Sequence, residues 1–79
     1  MSMAMLIHRR LDLQGVPWSL TFSRLSNTVR ELSHGELIEI LSTDPESVRA
    51  LDAWARATGN ALLESSQFGN VLRFVVRKL

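Results

Sequence analysis

Any chemistry in this chain would have to be built from Ser19, His8, His34 and the carboxylates, because its 79 residues contain no cysteine. Without a thiol there is no disulfide framework, no thiolate zinc site and no sulfur nucleophile. Two histidines alone are a poor basis for a metal centre. Ser19 offers a hydroxyl, but a serine nucleophile needs an activating base, and neither histidine is its sequence neighbour. The run Gly15-Val16-Pro17-Trp18-Ser19-Leu20-Thr21 is the most informative segment. It leads from an extended stretch into an amphipathic one. A helix start presents free backbone N–H groups and the positive end of the helix dipole, so it can hold an anion. Gln14, Ser19 and the N–H groups near Leu20 would supply the donors for a small oxyanion. Trp18 has no nucleophile, and its indole N–H is a donor only. It either extends the buried stripe of the following helix or stands out as an aromatic anchor for a partner.

The patterning around this run shows what must position it. Leu6 to Leu13 reads as a strand, with Leu11 and Leu13 on one side and His8, Arg10 and Asp12 on the other. Gly15 supplies the turn that follows. Ser19 to Ser33 reads as a helix, because Trp18, Phe22, Leu25, Val29 and Leu32 recur at steps of four and three. Ser19 or Thr21 would cap its start, His34 would sit against its negative end, and Gly35 would end it. Leu37 to Thr43 is a strand with apolar residues on both faces. Asp44-Pro45-Glu46 opens a second helix: a capping carboxylate, a proline at the first position and an acid at the positive end of the dipole. Val48, Leu51 and Ala55 form its buried stripe, with Trp54 at the border, and Gly59 stops it. Ala61 to Gln67 and Val71 to Lys78 close the chain as a hairpin around Phe68-Gly69-Asn70.

Composition sets the remaining bounds. The chain is 46% apolar with a formal net charge of +1, ordinary for one compact core. Arg9, Arg10, Arg73, Arg77 and Lys78 cluster at strand ends without making the basic stripe of a nucleic-acid binder. Asp12 beside Arg10 or Arg73 suggests a surface ion pair. Met1 to Ile7 is too short to span a membrane and lacks the marks of a secretory leader. A soluble, cytoplasmic protein with neither nucleic acid nor membrane as partner is the expectation.

Leu11-Asp12-x-x-Gly15 followed by Pro17-Trp18-Ser19-Leu20-Thr21 resembles the signature of the TusA/SirA family of small sulfur carriers. There a strand ending Leu-Asp-x-x-Gly runs into Cys-Pro-x-Pro, which opens the first helix, and the cysteine carries a persulfide. Here Trp18 stands at the cysteine position, and Ser19 and Thr21 stand at the prolines. The resemblance continues through Gly35-Glu36, Thr43-Asp44-Pro45, Ala50-Leu51, Trp54, Gly59, Leu62-Leu63-Glu64 and Arg73 to Lys78. Gln14, where an arginine is common, and Asn60, where a histidine often follows the glycine, depart from it.

The resemblance implies one domain over residues 1–79. It also implies an α+β two-layer sandwich of order β-α-β-α-β-β, with two helices on one face of a four-stranded mixed sheet. Pattern and resemblance agree on that architecture. The resemblance further implies a sulfur-carrier setting, while the residues deny the sulfur chemistry. No catalytic residue, metal or cofactor is expected. The leading expectation is a non-catalytic interaction or regulatory module whose partner is a sulfur-relay protein or a second copy of itself. Gly15, Pro17, Trp18, Ser19 and Thr21 would form its contact surface. A small-ligand or anion-binding module using Gln14, Ser19 and Leu20 is the alternative, and new chemistry at Ser19 a third.

Overall fold

The structure is a computed structural model that describes residues 6–79. Four strands and two helices follow in the order β1 (Arg9–Leu13), α1 (Phe22–Glu31), β2 (Leu37–Ser42), α2 (Glu46–Thr58), β3 (Ala61–Phe68) and β4 (Val71–Arg77). The strands lie in the order β1-β2-β4-β3. β1 runs parallel to β2, and β4 runs antiparallel to both β2 and β3. A parallel pair needs a crossover, and α1 supplies it. The expected α+β architecture is the one found.

β1 is shorter than its pattern. Arg9 pairs with Ile38, the second residue of β2, so Leu6 and Ile7 have no strand to meet. The β3–β4 hairpin turns on Gly69 and Asn70, with Gly69 at a φ of 62°. Glycine at the first central position suits a two-residue turn.

The sheet has two unlike faces. Leu11, Leu13, Ile38, Ile40, Leu72, Phe74 and Val76 pack in one cluster with Leu25, Val29, Leu51 and Trp54 from the helices. Among the described residues no helix covers the other face. Arg10, Glu39, Arg73 and Glu64, one residue from each strand, lie across it, and Val75 beneath them is fully buried.

Two inward positions differ from the expected stripes. Trp18–Leu20 forms a 3-10 turn before α1 begins. Three residues per turn bring Thr21, not Phe22, beneath Trp18. Thr21 is therefore fully buried and Phe22 is 50% exposed. In α2 the stripe begins one residue earlier than expected. Ser47 takes the inward position, its hydroxyl donating to the Asp44 carbonyl at 2.7 Å, and Val48 points out. Trp54, expected at the border, is buried.

The end of α1 also departs from expectation. The helix stops at Glu31, and Gly35 lies beyond it at a φ of 86°. Lys78, not His34, serves the helix end, donating from Nζ to the Leu32 carbonyl at 2.7 Å and to the Arg30 carbonyl at 3.2 Å. A cation suits that end of the dipole. α2 does end on its glycine, with Gly59 left-handed at 75°.

Candidate functional site

The parallel arrangement of β1 and β2 brings their C-terminal ends together, so the loops leaving Leu13 and Ser42 are neighbours. Three successive residues of the second loop hold this end together. Ser42 Oγ accepts the Asp44 N–H at 3.1 Å. Thr43 Oγ1 accepts the Gly15 N–H at 2.8 Å. Asp44 bridges two elements: Oδ2 accepts the Trp18 N–H at 2.7 Å, and Oδ1 accepts the Glu46 N–H at 3.0 Å. The Trp18 N–H, and after it the Glu46 N–H, hold the Asp44 carboxyl below the usual carboxylate range, against a smaller opposing effect of burial. The expected cap of α2 is thus present, and the same carboxylate also fixes the first loop.

The first loop completes itself by local bonds. Gly15 turns with a φ of 77°. The Pro17 carbonyl accepts the Leu20 N–H at 2.9 Å. The Trp18 carbonyl accepts both the Thr21 N–H at 2.9 Å and the Thr21 hydroxyl at 2.7 Å. Thr21 thus closes the 3-10 turn rather than capping α1 by its side chain. Gln14 donates its N–H to Asp12 Oδ1 at 3.0 Å.

Trp18 is 8% exposed and belongs to the packed core with Leu13, Leu25 and Leu51. The indole fills space and does not project. Gly15, Pro17 and Ser19 are exposed around it. Leu20, 68% exposed, and Phe22 carry the accessible apolar surface of the helix start. Phe68, at the hairpin tip, is exposed at the same end, since Ser42 pairs with Leu72.

The anion reading loses part of its donor set here. The N–H groups of Trp18, Leu20 and Thr21 are all bonded within the chain, and the Asp44 carboxylate already stands at the position an anion would take. Neither histidine stands beside Ser19. His8 precedes β1 and His34 follows α1, so both lie at the opposite end of the sheet. Among the described residues no group of three or more His, Cys, Asp or Glu side chains could hold a metal. No helix there is long and apolar enough to cross a membrane.

Sequence reasoning missed Ser42, Thr43 and the reach of Asp44 to Trp18. The only available signal was Asp44 itself, which reads as a local cap. The ion pair sought at Asp12 is also differently made. Arg10 and Arg73 both go to Glu39, at 3.1 and 2.6 Å.

A β-α-β-α-β-β sandwich with a glycine turn delivering residue 18 to the head of the first helix defines the small sulfur-carrier class, here without a thiol at that position. The chain belongs to the TusA family: the family model described as Sulfurtransferase TusA matches residues 9–78. It is 36% identical to the sulfur carrier protein TusA of Allochromatium vinosum, over 89% of this chain and 92% of that one. It is 31% identical to the putative sulfur carrier protein YrkI of Bacillus subtilis, over 86% and 91%. It is also 34% identical to the putative sulfur carrier protein YrkF of the same organism, over 86% of this chain but 37% of that longer protein.

Proposed function

We propose that this protein is a non-catalytic member of its family that acts by contact, engaging protein components of a sulfur relay without carrying sulfur itself. One observation carries the reading. The position where the family signature has its cysteine is a buried tryptophan, while the loop around it is tied down by Thr43 and Asp44. The reactive group is absent while the glycine turn and the helix start remain. With Trp18 and Thr21 buried, the contact passes to exposed neighbours: Gly15, Pro17 and Ser19, with Leu20 and Phe22 as the apolar centre. Exposed leucine and phenylalanine side chains grouped at one end favour a protein partner over an oxyanion. We place this activity in a cytoplasmic protein acting as a single domain over residues 1–79.

Two measurements test the proposal. Incubated with a cysteine desulfurase, cysteine and a labelled sulfur source, the protein should show no gain of sulfur in its intact mass. It should also compete with a cysteine-bearing relative for binding to that relative's relay partner. Leu20→Asp with Phe22→Asp should weaken the competition about tenfold or more while leaving the melting temperature nearly unchanged. A stable gain of one sulfur atom would sink the proposal, as would failure to compete for any relay partner. Anion binding is the weaker reading, because Asp44 takes the Trp18 N–H and the Pro17 carbonyl takes that of Leu20.

A further inference from the structure

At the other end of β1 the sheet is extended by a side chain. The backbone of His8 donates its N–H to the Leu37 carbonyl at 3.0 Å. Its imidazole Nδ1 accepts the Leu37 N–H at 3.1 Å. One residue thus satisfies both backbone groups of Leu37, at the point where β1 has no further residue to offer. On the far side of the ring, Nε2 lies 3.6 Å from Glu36 Oε2. Two groups therefore share one imidazole, and only the neutral ring with hydrogen on Nε2 can serve both.

The requirement follows from ring chemistry. Nδ1 accepts a hydrogen bond only when it carries no proton, which fixes the neutral tautomer with hydrogen on Nε2. The imidazolium carries hydrogen on both nitrogens, so it cannot accept from Leu37. It can still donate to Glu36. We propose that His8 is a proton-operated clasp on the start of β1: the neutral ring holds the Leu37 N–H while facing Glu36, and the protonated ring keeps Glu36 but lets Leu37 go.

The surrounding charges leave the ring to these two groups. Arg9 is engaged by Glu31 at 3.7 Å. Lys78 pairs with Glu36 through its backbone N–H, which donates to the Glu36 carbonyl at 2.9 Å, and turns its ammonium to the end of α1. Arg77 stands opposite Leu37 on β4 and is exposed. His34 is exposed in the connection after α1. Glu36 is itself steadied, with Oε1 accepting the Ser33 N–H at 2.6 Å. Histidine is the side chain whose charge ordinarily changes between about pH 5 and 8.

The sign is set by the bond that is lost. Neutral His8 supplies the acceptor, so the hold on Leu37 is present at higher pH and disappears as the ring is protonated. Nitrogen-15 spectra of the unaltered protein test this directly. At pH 8 the His8 ring should show hydrogen on Nε2. Between pH 8 and 5 the Leu37 amide resonance should move in step with the His8 ring. Its hydrogen exchange, corrected for the intrinsic pH dependence and compared with Glu39, should quicken on the order of fivefold. Glu36→Gln should shift that transition to lower pH, because the imidazolium loses its partner. A ring with hydrogen on Nδ1 at pH 8 would overturn the proposal. So would a Leu37 amide that stays still while His8 titrates.

Discussion

The end of the sheet around Trp18 and the open sheet face around Arg73 hold their parts together in opposite ways. Around Trp18 the bonds run from side chains to main chain: Thr43 to the Gly15 N–H, Asp44 to the Trp18 and Glu46 N–H groups, Thr21 to the Trp18 carbonyl. On the open face they run between side chains alone. Arg10 meets Glu39 at 3.1 Å, Glu39 meets Arg73 at 2.6 Å, and Arg73 meets Glu64 at 2.7 Å. The first arrangement fixes the path of a loop. The second covers an apolar strand residue with neutralised charge where no third layer exists. Glu39, first, and then Glu64 hold the Arg73 guanidinium above its ordinary range, so it stays charged at any relevant pH.

The difference predicts a graded set of responses. The largest belongs to the core beneath α1. Val29→Asp would bury an unpaired carboxylate beside Leu25 and Leu32, at a cost of several kcal/mol. A small domain has about 5–15 kcal/mol to lose, so circular dichroism should show an unfolded or nearly unfolded chain. An unchanged melt would mean that this stripe faces water.

Trp18→Ala should come next, costing about 3–5 kcal/mol of stability in denaturant unfolding. A loss under about 1 kcal/mol would show that the indole is not part of the core.

On the open face, Glu39→Gln should cost only about 1 kcal/mol, because Arg73 keeps Glu64 and the glutamine oxygen can still accept. Arg10→Ala should cost about 0–0.5 kcal/mol, since Arg10 is largely exposed and its pair is a surface one. If Arg10→Ala proved as damaging as Glu39→Gln, the charges would be acting as one unit rather than as a graded row.

The smallest response should be local and acidic. The Asp44 carboxyl is depressed by its two N–H donors, so its contribution is present above the usual carboxylate range. It is lost as pH falls through the lowered value, a window below about pH 4. With Trp54→Phe removing the other indole, Trp18 fluorescence should change in that window. In Asp44→Asn the same step should be missing. A pH-independent signal from the parent would mean that the Asp44 bond to Trp18 does not shape the loop.

The sequence made the elements legible because their signals are local. Asp44-Pro45-Glu46 marks a helix start by chemistry that needs no tertiary context, and Gly59 marks a helix end in the same way. Phe22 and Val48 were misjudged for one shared reason. An idealised helical period was extended back through residues that obey different geometry: a 3-10 turn before α1, and a backbone-bonded serine at the head of α2. Trp18 could be placed at the head of a stripe, but its depth could not be read, since burial at a helix start depends on what lies across the sheet. The Asp44 bridge and the row from Arg10 to Glu64 join residues far apart in the chain, and no spacing announces them. Lys78 reaches α1 across more than forty positions for the same reason.

The contact from Asp44 goes to the amide of residue 18, an atom that every amino acid except proline provides. The course of the loop is therefore insensitive to which side chain position 18 carries, even though the packing beneath it is not. A lineage can exchange a thiol for an indole there, or the reverse, without redrawing the backbone. The architecture can then persist whatever residue other than proline stands at position 18.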